Sequence, residues 1–241
     1  MAADQPMKMI ICARRNPALT REQFFHHLRH IHWPMVRDFP SVAASLRGYV
    51  QNHAHGDASP TGVAAPCRVE TGRDSVIELH FDSDAGVARL VGTPEYIEHV
   101  RPDEARFNDL SSNIMVKCRE EIVFATGRPG RCKRFDFLAM NQATGSGDFR
   151  KTLQAHATRL SLDPVHTAII DCYAHNWPIG SEEPGSQGFG SGAFDCVRTI
   201  WAHSVEGLVM ASTLGEAAPM IDYAKSFSVF ATEFTMIPAT D

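Results

Sequence analysis

Two residues on one stretch of the chain carry the strongest chemical signal. Ser75 to Phe81 alternates strictly, with Ile77, Leu79 and Phe81 on one face and Val76, Glu78 and His80 on the other, the pattern of a half-buried strand. A carboxylate and an imidazole two residues apart on an inner face can share a proton or polarise a carbonyl. Burying both is costly unless they are paired or used, so the alternative is a satisfied polar pair at a rim. Tyr49, Gln51 and His53 likewise share one face of Tyr49–His53. Placed beside His80, a phenol and an imidazole would complete an acid–base cluster for enolising a carbonyl or expelling water. The opposing readings are packing for Tyr49 and exposure beside a loop for His53. Gln51, Asn52, Trp33 and Trp201 are the candidate substrate contacts, although aromatic side chains more often belong to a core.

Other spacings carry less. His26 and His30 are four apart, as are metal ligands on a helix face, but no third ligand follows at a recognised interval. They read as a solvated pair, His27 as packed near the apolar face, and no metal site is expected. His53-Ala-His55 is weak for the same reason. There is no Gly-x-Gly-x-x-Gly, phosphate loop or Gly-x-Ser-x-Gly elbow, so neither a nucleotide cofactor nor a serine nucleophile is supported.

These residues need elements to hold them. Lys8–Ala13 is short and apolar and reads as a buried strand. Thr20 with Gln23 makes a capping box, and Phe24, Leu28, Ile31 and Met35 give the helix one apolar face. That helix is predicted to end near Trp33-Pro34, because a residue before proline avoids the helical region. Strands are expected at Tyr49–His53, Ser75–Phe81 and Val116–Phe124, a loop over 54–73, a short helix at 85–91, and helical or irregular chain over 93–109.

After Gly127-Arg-Pro-Gly130 the order restarts: strand at 133–141, helix at 149–160, strand at 166–176, strand at 195–201, helix at 206–214, strand at 228–237. Tyr-Ala-His-Asn at 173–176 echoes Tyr-Val-Gln-Asn at 49–52. Each half reads β-α-β-β-α-β, the ferredoxin-like unit. The expected fold class is α+β, two ferredoxin-like units (1–126 and 131–241) packed sheet to sheet as an intramolecular α/β barrel, with a cleft inside each sheet.

The 241 residues, 44% apolar and 21% charged with a net charge of −5, fit a folded globular chain. They give no electrostatic reason for a nucleic-acid or anionic-membrane partner. No apolar run is long enough for a membrane helix, and the first residues lack a signal-peptide core. Six scattered cysteines read as reduced thiols, so a cytoplasmic location is expected.

The first half resembles the EthD family of dimeric α/β-barrel proteins over roughly residues 8 to 124. The resemblance is carried by Cys12-Ala-Arg-Arg-Asn-Pro, by Thr20-Arg-Glu-Gln-Phe24 with Leu28, and by His32-Trp-Pro34-Met-Val36. Tyr49–His53, Asp74–Phe81, Pro102-Asp-Glu104 with Phe107 and Asp109, and Glu120-Glu121 complete it. It places His32 on the family's histidine two residues before a proline, at the helix end near the barrel mouth, as a catalytic or substrate-contacting group. His80 stands where the family has tryptophan, while the second half keeps Trp201 and lacks the histidine motif, and a Gly/Ser loop occupies 179–192.

The family that the first half resembles is functionally mixed, and the inward His/Glu/Tyr set points to a cofactor-independent lyase or isomerase that removes a proton next to a carbonyl, on a small apolar, aromatic or polyketide-like compound. His80 would be the general base or acid, oriented by Glu78, with Tyr49 or His53 polarising the carbonyl. The alternatives are a haem-binding oxidative enzyme and a non-catalytic ligand-binding protein. A monomer with an internal pseudo-dimer suffices structurally, and a homodimer through outer surfaces stays open.

Overall fold

The computed structural model describes residues 5–58, 60, 67–128, 130–179, 194–213 and 219–239. The first half contributes β1 (Met7–Ala13), β2 (Gly48–Ala54), β4 (Ser75–Phe81) and β5 (Ile114–Ala125), and the second β6 (Cys132–Leu138), β7 (Ile170–Pro178), β8 (Cys196–Ala202) and β9 (Phe227–Ile237). Their orders are β5-β1-β4-β2 and β7-β8-β6-β9, the same permutation twice. A further strand, β3 (Arg68–Val69), runs parallel to the start of β9, inside the segment expected to be a loop.

The halves join edge to edge. β2 pairs antiparallel with β9, His53 opposite Thr232, and β5 pairs antiparallel with β7, Glu120 opposite Asn176. Eight antiparallel strands thus close into a barrel, which removes the open edges of each half. The interior is filled rather than hollow: Ile10, Cys12, Val76, Val116, Phe135, Phe137, Val197 and Val229 form one buried cluster. Along this cluster the two inner faces, each expected to hold a cleft, pack into each other.

Helices cover the outer faces. In α1 (Arg21–His27) the Thr20 side chain accepts from the Gln23 N–H, and the Gln23 side chain accepts from the Thr20 N–H, the predicted capping box. The helix does not stop at Trp33-Pro34. A π turn (Leu28–His32) carries it into α2 (Trp33–Asp38), with the Trp33 N–H donating to Leu28 O. Trp33 is helical at φ −60 and ψ −48, and the wide turn accommodates the missing Pro34 N–H. The turn also rotates the buried face by about one residue: His32 is buried while Ile31 is 41% exposed, against the expectation for Ile31.

The remaining helices of the first half are α3 (Pro40–Ala43), α4 (Asp84–Gly92) and α5 (Arg101–Phe107), the last preceded by a second π turn at Tyr96–Val100. The second half carries α6 (Ser146–Leu162), α7 (Pro164–Ile169) and α8 (Val205–Thr213). The expected strand from 166 begins only at Ile170. Asp163 caps α7 by accepting from the Val165 N–H, with Pro164 in its first turn, which holds 164–169 helical. The Gly/Ser loop lies largely outside the described residues. No helix among the described residues is long and apolar enough to cross a membrane.

Candidate functional site

Alternation along the strands divides the predicted cluster in two. In β2, Val50 stands opposite Glu78 and Asn52 opposite Val76, so the even-numbered residues enter the barrel. Tyr49, Gln51 and His53 point outward to the helices. They therefore lie across the sheet from His80, not beside it. The inner set is Glu78, His80, Asn52 and Trp201; the outer set is Tyr49, Gln51, His53, His32 and Trp33.

Ion pairs account for the inner set. Glu78 accepts from Lys8 at 2.8 Å, from Lys133 at 2.6 Å and from Asn52 Nδ2 at 2.9 Å. Lys8 also reaches Glu120, and Lys133 reaches Glu233 at 2.7 Å. The result is a chain Glu120–Lys8–Glu78–Lys133–Glu233 across the pseudo-twofold. Burial alone would raise Glu78, but Lys133 and Lys8 outweigh it and hold the carboxyl far below its ordinary range. The carboxylate's hydrogen bonds go to Lys8, Lys133 and Asn52, and it forms none with His80. Trp201 lies over the Lys133 ammonium at 4.6 Å, and its N–H donates to Glu233. His80 is half-buried and lowered, by burial and then by Lys8.

The outer set opens to a cleft. Gln51 Nε2 donates to Leu28 O and to Tyr49 Oη, both at 3.2 Å, while Gln51 Oε1 lies 3.4 Å from His53 Nε2. Leu28 O accepts only, which fixes the amide orientation. Oε1 must then accept from His53 Nε2–H, and Nδ1 keeps the lone pair. His53 is only 8% exposed, although it precedes a loop. Burial lowers its pKa to about 4, helped by Arg29 and Arg21, so the ring is neutral at pH 7.

Aromatic and cationic groups sandwich this imidazole. Phe25 stacks on it with centroids 4.2 Å apart and planes at 3°, and Phe234 of β9 packs on it at 4.5 Å. Arg21 lies over Phe25 at 4.9 Å and Arg29 over Phe234 at 4.3 Å. The sequence Arg21–Phe25–His53–Phe234–Arg29 is a continuous stack built from both halves of the chain. Beside it lies an open cleft of about 620 Å³ lined by Arg21, Glu22, Phe25, His26, Arg29, His30 and His53. His26 and His30 pack against each other at 5.0 Å. Among the described residues no group of three or more His, Cys, Asp or Glu side chains could hold a metal ion.

His32 sits in the π turn of the helix layer, not at a helix end by the barrel mouth. Its Nδ1 donates to Asp103 Oδ2 at 3.0 Å, and His27 Nε2 donates to the same carboxylate at 2.9 Å. His27 is thus engaged with Asp103 rather than simply packed. Burial would raise Asp103, but the two histidine hydrogen bonds hold it low. Next to it Glu104, which accepts from Tyr96 Oη at 3.0 Å, is raised by burial. Trp33 packs edge-on against Tyr49 at 5.4 Å.

The second half has no equivalent. By register, Tyr173, His175 and Trp177 stand where Tyr49, Gln51 and His53 do. Arg150 covers Trp177 at 4.6 Å, in place of the Phe25–His53 stack. His175 is fully buried with no hydrogen-bond partner on either ring nitrogen among the described residues.

Reading the sequence missed Arg21, Phe25, Arg29, Phe234, Asp103 and Glu104 as members of these clusters. Arg21, Phe25 and Arg29 are four apart in a row, a stripe visible in the sequence. Phe234 depends on the pairing of β2 with β9, for which the sequence holds no signal.

Residues 16–111 match the EthD domain family. A comparison with curated proteins gave no match. Among solved structures, an anthrone oxidase-like protein shares 8% identity at a TM-score of 0.57, covering 99% of this chain and 96% of its own. A monooxygenase-like protein from Lactobacillus acidophilus NCFM shares 9% identity at 0.55, covering 96% of each. Chlorite dismutase from Candidatus Nitrospira defluvii shares 8% at 0.51, covering 98% of this chain and 93% of its own. At such identities the likeness is one of fold, the dimeric α/β barrel built within one chain.

Proposed function

We infer that this chain, which carries an EthD domain closed into a barrel by its second half, is a lyase or isomerase that moves a proton next to a carbonyl without a bound cofactor. The observation that carries this reading is the neutral His53 imidazole, with a free Nδ1 lone pair, in the wall of a cleft flanked by two arginines. His53 Nδ1 takes the proton from the carbon beside the carbonyl, and the electron pair moves onto the carbonyl oxygen as an enolate. The guanidiniums favour that negative charge. The imidazolium then returns its proton to a different carbon in an isomerisation, or to a departing hydroxide in a dehydration.

His53 is preferred over His80 because Glu78, the partner expected to orient His80, is committed to two lysines. The low pKa of His53 sets the substrate's acidity. Each unit of mismatch between base and carbon acid costs about 1.4 kcal/mol. A base near pKa 4 therefore suits a doubly activated C–H, as in a β-dicarbonyl or polyketide-like compound, better than a simple ketone. Phe25 adds apolar surface to the cleft lining.

Haem, which the family resemblance raises, needs an axial ligand beside a flat slot. His175 has free ring nitrogens, but Tyr173 and Trp177 pack on its ring at 5.3 and 5.1 Å, and Arg198 faces it from β8. Among the described residues that packing leaves no flat slot at His175, so His175 does not fit as the axial ligand.

The test is deuterium incorporation from D2O into aromatic ketones and β-dicarbonyl compounds, followed by NMR. Enzyme-dependent exchange that disappears in His53→Ala is expected. Exchange that survives in a folded His53→Ala protein would remove His53 from the reaction.

A further inference from the structure

We propose that the His53 cleft takes a planar organic anion, an aromatic or conjugated acid whose carboxylate or ionised enol is bound by Arg29 and Arg21. This rests on the functional reading above and names the substrate class of the same site.

The cleft lining is unbalanced in charge. Arg21 and Arg29 face it with Glu22 as the single acid, and His53 adds no charge because burial keeps it neutral. Arg29 lies over the Phe234 ring at 4.3 Å and makes no ion pair among the described residues. A guanidinium held on an aromatic face by its π surface keeps its in-plane N–H donors free.

Arg21 is held differently. Its Nη1 donates to Asp74 Oδ1 at 3.3 Å, but Asp74 is shared with Arg15 at 2.7 Å. The other amino group, Nη2, is buried and has no hydrogen-bond partner among the described residues. An orphaned buried N–H costs free energy until an acceptor arrives. Arg21 also packs so closely on Gly56 that a Cβ there would lie 2.3 Å from its Nη1, and Gly56 has φ +58. The positive φ favours glycine beside this guanidinium.

The neighbouring charges do not cancel the imbalance. Asp74 is committed to Arg15 and Arg21, and Asp57 acts on Arg21 only through its charge, without an ion pair among the described residues. Phe25 and His53 line the cleft between the two arginines, and the volume of about 620 Å³ admits a molecule of two or three fused rings.

The experiment measures binding of 2-naphthoate and its neutral isostere 2-naphthamide to the full chain by calorimetry, in wild type, Arg29→Gln, Arg29→Lys and His53→Ala. Circular dichroism verifies that each variant is folded. Naphthoate is expected to bind at least tenfold more tightly than naphthamide, and Arg29→Gln to erase that preference. Arg29→Lys should keep part of it, and added salt should weaken only the anion. Equal binding of the two ligands, or a preference untouched by Arg29→Gln, would overturn the proposal. The arms separate the two readings. An anion preference that persists in His53→Ala, without deuterium exchange in wild type, leaves the anion site standing and removes the acid–base assignment. Exchange without an anion preference does the reverse.

Discussion

The imidazole of His53 lies parallel to the ring of Phe25, with centroids 4.2 Å apart and planes at 3°. Phe25 comes from α1, and Phe234 on the other side of the imidazole comes from the last strand of the second half. The stack therefore holds only where the two halves meet, and it is what buries His53. Phe25→Ala should raise the His53 pKa from about 4 toward the ordinary 6.5, because burial is the largest cause of its depression. An NMR titration of the ring protons reads this directly. An unchanged titration would mean that the stack does not keep the ring neutral.

Stability should fall as the pH drops below 6.5. His175 is lowered to about 3, by burial and then by Arg198, and His53 to about 4. Between these values and pH 6.5 the unfolded chain binds protons that the folded chain refuses. Their contribution is complete above pH 6.5 and is lost as the pH falls toward the folded pKa values. His175 alone should cost roughly 1–2 kcal/mol between pH 7 and 5. Denaturant unfolding at the two pH values tests this, and His175→Leu should flatten the profile.

The charge chain in the barrel predicts a sharp asymmetry between Glu78 and its neighbour His80. Glu78→Ala removes the more deeply buried of the two carboxylates that each of Lys8 and Lys133 contacts and should cost about 3–5 kcal/mol. His80→Ala, which removes no hydrogen bond among the described residues, should cost about 1 kcal/mol or less. Equilibrium unfolding of both variants separates the cases; similar losses would contradict the network.

Gly56→Ala should disturb the cleft from its rim. Its φ of +58 disfavours any side chain, and the new Cβ would meet Arg21. A stability loss of about 1–2 kcal/mol is expected, together with weakened 2-naphthoate binding. Unchanged binding would show that Arg21 can shift without consequence.

Much of this architecture could be read from particular residues. The capping box at Thr20, the alternation from Ser75 to Phe81 and the repeated order after Gly127 were sufficient to place the strands and the doubled unit. Local signals failed where a longer-range interaction decided the outcome. Pro34 was read as a stop, but a π turn carried the helix through it and exchanged Ile31 for His32 on the buried face. The sequence reads as strand from residue 166, but the Asp163 cap holds 164–169 helical.

The acid–base cluster was read as one because Tyr49 and His53 were placed beside His80. Faces on separate strands can be compared only once the register is known, and Val50 opposite Glu78 sets the two groups on opposite sides of the sheet. The partners of Glu78 were hidden for the same reason. Lys8 and Lys133 are distant in sequence and meet only when the barrel closes.

The most direct measurement compares deuterium exchange into one exchanging β-dicarbonyl substrate by wild type, His53→Gln and His80→Gln. Loss of exchange in His53→Gln, with His80→Gln close to wild type, is the result predicted. Loss in His80→Gln with His53→Gln unaffected would contradict the account and move the chemistry inside the barrel.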